Sequence, residues 1–422
     1  MKTIYDVAGI GISPFNLGLA ALCQPIRELN TIFFDRHKRF TFKPALLPGN
    51  WMQLPVLADL VTPVAACSEF SYLNFLRSQK RLLQLSMQDE PCISIKQYMQ
   101  YCEWVANRLK NLRFSHSVTE VLFNHQEGIF ELRGCCRGQF PAPVMYARRL
   151  VIDATYNPFI PQPTACDGGP GVFHASEYIK KRAALHYNKH IVLVGSGQEG
   201  AEIFYDLLGR MQSRGRLTWM TRSTGFFALQ HTPLNPEMIL PDYADFSLQL
   251  ARKKKLISRQ EYFYECMHPS LLHAIQNKLT GYVQRGRIHL QANSDLKNTV
   301  TRANDYRLQC SHLVLEQEFS LTAAHVILAT GYHHSPAPLL YPLHDQLRWN
   351  EDFNVIVNRN YAVDDKNRVF VQNAELHSPC FHLRDLRRGA YRNAVILNTI
   401  LKRNYFAIDQ RSCFQSFGLP RW

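Results

Sequence analysis

Two short glycine-rich turns, each set between an apolar run and a helix-like stretch, constrain this chain more than any other feature. The first comes after Tyr5 to Ile10 and reads Gly9-Ile10-Gly11-Ile12-Ser13-Pro14, before a helical stretch from Phe15 to Cys23. The second comes after Ile191-Val192-Leu193-Val194 and reads Gly195-Ser196-Gly197-Gln198-Glu199-Gly200, leading into Ala201-Glu202-Ile203-Phe204. In such a turn the first glycine makes the bend, and the second lets backbone approach a pyrophosphate at the positive end of the helix. One match is weak evidence. Two, both in strand–turn–helix context, point to two bound dinucleotides and therefore to electron transfer between them.

The residue that ends the next strand separates the two sites. After the first turn that strand is Thr31-Ile32-Phe33-Phe34, and it ends in Asp35, an acid placed to accept hydrogen bonds from a ribose. After the second turn the strand is Leu217-Thr218-Trp219-Met220, and Thr221-Arg222-Ser223 puts a base where the acid would stand. Arg222 favours the 2′-phosphate of NADP over the free hydroxyl of NAD.

Composition excludes several classes. The 422 residues suffice for two or three domains, and 46% hydrophobic with 19% charged residues is a globular balance. No apolar run approaches the roughly 20 residues of a membrane span. The first strand begins almost at Met1, so no signal peptide is expected, and the eleven scattered cysteines form no C-x-x-C pair. Reduced thiols and a cytoplasmic location are the expectation. The seventeen histidines show no metal-ligand spacing, and His333-His334 reads as a loop pair, so no metal is expected. A net charge of +14 suits polyanionic cofactors and would also suit nucleic acid. The main basic run, Arg252-Lys253-Lys254-Lys255, has no interleaved aromatics, so it reads as a solvated face and no nucleic-acid partner is expected.

Along the chain, helices are expected from Ser68 to Leu76, from Ile95 to Leu109 with Tyr98, Tyr101 and Trp104 on a core stripe, and from Asp385 to Leu401. Strands are expected at Arg113-Phe114, Val121 to Phe123, Ile129 to Leu132, Arg149 to Ile152, Ile288 to Leu290, Tyr306 to Leu308, Ala324 to Tyr332 and Val369 to Asn373.

Further segments resemble one family, the N-hydroxylating flavin monooxygenases of siderophore biosynthesis, which includes lysine N6-, ornithine N5- and diamine N-hydroxylases. The residues that carry the resemblance are Gly9-x-Gly11 with Pro14-Phe15-Asn16-Leu17, Met52-Gln53 with Leu57-Ala58-Asp59-Leu60-Val61, Phe70-Ser71-Tyr72-Leu73-Asn74, Gly195-x-Gly197-Gln198-x-Gly200, Ala329-Thr330-Gly331-Tyr332 and Asn373-Ala374-Glu375. The match is collinear from Met1 to about Asn398. It implies that NADPH reduces FAD, that O2 adds at flavin C4a, and that the hydroperoxide transfers its distal oxygen to a primary amine. It implies FAD contacts from Gly9, Gly11, Pro14, Asn16 and Asp35, and NADPH contacts from Gly195, Ser196, Gly197, Gln198, Gly200 and Arg222. Thr330 and Gly331 join the cofactor residues. Gln53 is implied to be the catalytic residue, against the flavin and nicotinamide, and His231, Asn235, Ala58 and Asp59 to line the substrate.

The departures bear on the substrate. Amino-acid hydroxylases of the family carry a lysine five residues after that glutamine, where it pairs with the substrate carboxylate; this chain has Ala58. Burying a carboxylate without its cation costs several kcal/mol, whereas putrescine or cadaverine has no carboxylate to pair. Lys43 or Arg36 could take over the cation's part. A usual glycine-flanked threonine reads Asp153-Ala154-Thr155-Tyr156, a usual arginine reads Ile95, Ile257-Ser258-Arg259-Gln260 replaces a threonine- and glycine-containing stretch, and the C-terminal loop carries Pro379 and Cys380.

The expected architecture is α/β, with two Rossmann-like dinucleotide-binding domains and a small helical substrate-domain insertion. FAD is assigned to 1–170 and 329–422, NADPH to 171–232 and 284–328, and the insertion to 233–283. The expected function is FAD- and NADPH-dependent hydroxylation of a primary amine with O2, a diamine before lysine or ornithine. The alternative is a degenerate FAD- and NADPH-binding relative that oxidises NADPH without product or has a non-catalytic role in a biosynthetic assembly. A homo-oligomer, dimer or tetramer, is left open.

Overall fold

The computed structural model describes residues 2–41, 53–87, 91–136, 144–153, 156–161, 171–227, 267–281, 286–302, 305–334, 338–349, 355–372 and 386–408. Two five-stranded parallel sheets dominate it. The first runs in the order Val369–Gln372, Leu150–Asp153, Val7–Ile10, Thr31–Phe34, Leu112–Arg113. The second runs Val172–His174, His325–Leu328, His190–Val194, Arg216–Met220, Ile288–Gln291. In both, the strand before a glycine turn is central, with the next strand beside it and a late strand on its other flank. That layout is the doubly wound arrangement, which puts ligands at the carboxyl ends of the strands where the order reverses.

The strands are short and apolar because both faces are covered. Val7, Val151, Phe33 and Phe370 in the first sheet, and Ile191, Leu193, Leu217 and Ile327 in the second, are fully buried. An antiparallel unit accompanies each sheet. His116–Asn124, Ile129–Cys136 and Met145–Ala147 form one, which Ile4–Tyr5 joins in parallel; Ser294–Arg302, Asp305–His312 and Gln317–Ala323 form the other. The expected strands at Val121, Ile129 and Tyr306 are parts of these longer ribbons. Strand Val369–Gln372, from far along the chain, closes the first sheet against Leu150–Asp153. A two-stranded ladder, Tyr156–Pro158 with Tyr332–His334, lies where the chain passes between the two units.

The expected helices form at Pro14–Cys23, Tyr72–Ser78, Ile95–Ala106 and Leu386–Leu401. Of the 233–283 insertion, the described part is the helix Pro269–Leu279 with its flanks. Met267, Leu271 and Ile275 are buried in one cluster with Phe204, Leu208 and Trp219, so this helix belongs to the core of the second nucleotide unit. Burial of its apolar face against Gln198–Arg210 decides that, and helical periodicity alone cannot. No described helix is long and apolar enough to cross a membrane.

Candidate active site

At the first turn, Gly11 has φ +84°, which only glycine adopts cheaply, and a Cβ on Gly9 would lie 2.0 Å from the Phe33 ring. Ser13 caps the Pro14–Cys23 helix by accepting from Phe15 N–H at 3.2 Å, and Pro14 at the first helical position has no N–H to satisfy. Two N–H groups of the turn meet carboxylates: Ile12 donates to Asp35 Oδ2 at 2.8 Å and Ser13 to Asp153 Oδ2 at 3.0 Å. Asp35 Oδ1 also accepts from His37 N–H at 2.8 Å and lies 2.7 Å from its Nδ1. Paired donors that already attract anions, beside a helix N-terminus, fit a dinucleotide pyrophosphate. Asp35 stands at the strand end expected to read a ribose. Asp153 is the discordant group, a second acid on the same turn.

Asn16 secures the turn from below. Its Nδ2 donates to Gly11 O at 2.8 Å and Val151 O at 3.2 Å, and its Oδ1 accepts from Gln372 Nε2 at 3.4 Å. Gln372 Nε2 also donates to Asn393 Oδ1 at 2.8 Å, and Asn393 Nδ2 to Phe15 O at 2.9 Å. The C-terminal strand and helix thus hold the N-terminal glycine turn through buried amides. Asn16 thereby holds the backbone of the turn.

At the second turn, Gly195 has φ +113° and a Cβ there would meet Ala329 O at 2.1 Å; one on Gly200 would meet Gly195 O at 2.4 Å. Gly197 has open space above it at the start of the Gln198–Arg210 helix. Ser196 Oγ lies 2.7 Å from Thr221 Oγ1, which ties the turn to the next strand and sets exposed Arg222 beside it. Gln198 turns inward instead: its Oε1 accepts from His268 N–H at 2.8 Å and its Nε2 donates to Glu202 at 2.9 Å. Glu199, in the first helical turn, accepts from the Tyr332 hydroxyl, and burial pushes its carboxyl up to about 7. Thr330 donates its hydroxyl to Phe159 O, and Gly331 O accepts from His174 Nε2 at 2.9 Å.

In the first unit, Gln53–Pro55 pairs antiparallel with Cys92–Ser94, setting Gln53 opposite Ser94, which caps the Ile95–Ala106 helix. Ala58 closes a 3-10 turn, Val56–Ala58, and is 2% exposed. Asp59 is spent within its own loop. Its oxygens accept from Val61 N–H at 3.1 Å, Thr62 N–H at 2.7 Å, the Thr62 hydroxyl at 2.6 Å and Tyr72 N–H at 2.7 Å. These bonds give Asp59 a loop-holding part. Tyr101 donates to Phe70 O at 2.7 Å and packs with Tyr72, Phe75, Tyr98 and Trp104 into an aromatic wall behind that loop. Ile95, in the place of the expected arginine, is buried with them.

His231, Asn235, Lys43, Arg252 to Lys255, Ile257 to Gln260, Pro379 and Cys380 lie outside the described residues. Sequence reasoning missed Gln372 and Asn393, whose only signal was polarity inside apolar runs, and it did not foresee what Asp153 and Glu199 touch.

A profile of the L-lysine 6-monooxygenase/L-ornithine 5-monooxygenase family matches residues 3–334. A putrescine N-hydroxylase of Shewanella oneidensis is 36% identical over 99% of this chain and 85% of its own length. An alcaligin biosynthesis enzyme of Bordetella pertussis is 34% identical over 99% of this chain and 93% of its own. Among solved structures, the FAD-bound cadaverine monooxygenase DfoA of Erwinia amylovora superposes with a TM-score of 0.93 at 32% identity, covering 100% of both chains.

Proposed function

This chain belongs to the L-lysine 6-monooxygenase/L-ornithine 5-monooxygenase family of FAD- and NADPH-dependent enzymes, and we propose that it hydroxylates one nitrogen of a short aliphatic diamine such as putrescine or cadaverine. The product would feed a hydroxamate siderophore. The observation that carries the diamine is Ala58, buried and uncharged in the turn after Gln53. An α-carboxylate brought to such a wall would be desolvated without a partner. The two relatives named for putrescine and cadaverine support the same reading.

When bound, FAD reduced by NADPH supplies two of the electrons with which one atom of O2 enters the amine N–H bond and the other leaves as water. The chain's own residues bind and exclude. Gly9, Gly11 and Asp35 hold FAD, while Gly195, Ser196, Gly197, Gly200 and Arg222 hold NADPH. Gln53 orients the groups that meet between them. The amine must arrive neutral although its free pKa is about 10.4, so the apolar wall behind Ala58 favours the uncharged nitrogen by desolvation. Water kept from the site prevents loss of the activated oxygen as peroxide. We place the enzyme in the cytoplasm, with its NADPH supply.

The test incubates purified protein with NADPH and, separately, putrescine, cadaverine, ornithine and lysine, and counts hydroxylamine formed per NADPH oxidised. Coupled product from a diamine supports the proposal. Coupled product from ornithine or lysine alone overturns the diamine, and NADPH loss without any product overturns the hydroxylase.

A further inference from the structure

The acid on the wrong side of the first glycine turn has a consequence for how the flavin is held. Strands Leu150–Asp153 and Val7–Ile10 run parallel with Ile152 opposite Ile10, so the next residue lands beside Gly11. That residue is Asp153, and a Cβ on Gly11 would lie 2.9 Å from the Asp153 Cβ. Its Oδ2 accepts from Ser13 N–H at 3.0 Å, at the cap of the helix that receives the pyrophosphate. Asp35 takes the neighbouring N–H of Ile12 at 2.8 Å. Both donors of the turn therefore face carboxylates before any cofactor arrives.

We propose that Asp153 gates FAD binding by its charge: ionised, it occupies the Ser13 amide and opposes the pyrophosphate, and protonated it admits the cofactor, so that FAD binding takes up a proton. The proposal rests on the FAD reading of the first turn and concerns Asp153, which heads the segment Asp153-Ala154-Thr155-Tyr156 where the chain departs from the family's glycine-flanked threonine.

The surroundings set the pH at which the gate works. Among the described residues, the charged groups facing Asp153 are Asp35 from the end of Thr31–Phe34, the strand beyond Val7–Ile10, with His37 on its far oxygen, and Arg392 from the C-terminal helix. On its other flank the paired residue is the neutral Gln372. Burial pushes the Asp153 carboxyl up to about 6, Asp35 adds to the rise, and the Ser13 hydrogen bonds and Arg392 oppose it. A bound pyrophosphate raises it further. By linkage, the complex holds a proton that the free protein loses above pH 6, so affinity falls as pH rises from there.

The experiment titrates apoprotein with FAD by flavin fluorescence from about pH 5.5 to 8.5, for wild type and Asp153→Asn. Asn keeps an acceptor for Ser13 N–H without the charge. Wild-type Kd should weaken about tenfold per pH unit above 6. Asp153→Asn should be nearly flat and at least about tenfold tighter at pH 8. A variant with the wild-type slope, or one that binds more weakly at pH 8, overturns the proposal. Should Asp153→Asn fail to fold, calorimetry of the wild type at pH 7 in two buffers of different ionisation enthalpy decides instead. Uptake of close to one proton supports the gate, and none overturns it. FAD that binds neither protein at any pH would overturn the flavin assignment as well.

Discussion

The Tyr332 hydroxyl donates to a carboxyl oxygen of Glu199 across 3.2 Å, joining the segment after Thr330-Gly331 to the first turn of the second nucleotide helix. His174 packs edge-on against the same tyrosine ring, 5.0 Å between centroids. The acid is thus enclosed beside a helix N-terminus.

Burial raises Glu199 from its ordinary 4.5 to about 7, against the pull of the Tyr332 hydrogen bond. Between those values the folded chain holds a proton that the unfolded chain has lost. Stability from this group is therefore fully present below pH 4.5 and declines as pH rises to 7. Glu199→Gln should lessen the decline of Tm over that window relative to wild type. Parallel Tm profiles for the two proteins would refute the enclosed, protonated acid.

Gly195→Ala should disable the second turn. Alanine is strained at φ +113°, and its Cβ would meet Ala329 O at 2.1 Å. Strain of this kind costs about 1–3 kcal/mol before the clash is counted. NADPH binding should weaken by at least about 100-fold while FAD is still taken up, as read by NADPH titration of the holoprotein. Unchanged NADPH affinity would mean the pyrophosphate lies elsewhere.

Arg222 should account for the choice of nicotinamide. A charge-assisted phosphate contact contributes roughly 1.5–3 kcal/mol, so Arg222→Ala should reduce the preference for NADPH over NADH by about 10- to 150-fold. Flavin reduction rates with each nucleotide check it. A preserved ratio would assign the phosphate to another residue.

Diamine turnover should exceed that of ornithine or lysine by at least about 100-fold in kcat/KM. Ala58→Lys should narrow the gap, because the new cation repels the diamine's distal ammonium and pairs with an α-carboxylate. Equal wild-type kcat/KM for ornithine would remove the carboxylate argument and leave the hydroxylase standing.

Asp59 should behave as a structural residue. Asp59→Ala deprives three buried or half-buried N–H groups and one hydroxyl of their acceptor, which should cost about 3 kcal/mol or more in a denaturant titration. Full stability with a raised KM for the amine would return Asp59 to the substrate.

Much of this was legible in the order of residues. A glycine turn between apolar runs has few realisations, so Gly9, Gly11, Gly195 and Gly200 and the helices they open could be read directly. The resemblance reached the family through Gln53, Ala58 and Asp59, and the relatives bear it out. The ribbon Ser294–Arg302 was missed because its alternation is interrupted by a register shift between Leu296 and Asn298. The amphipathic pattern of the helix Pro269–Leu279 does not say that the core of the second nucleotide unit receives it.

Local sequence by itself determined where the chain must bend, which strands are buried and which acid or base ends the second strand of each unit. These depend on backbone conformations and periodicities that span only a few residues. The partners were decided by the tertiary structure alone. Asp153 reaches Ser13 over 140 residues, Gln372 reaches Asn393 beneath the first turn, and Tyr332 reaches Glu199 over 133 residues. Parallel strand register and the burial it enforces bring these groups together. Those two factors hold the Asp153 and Glu199 carboxyls above the ordinary carboxylate range, and no spacing along the chain encodes either of them.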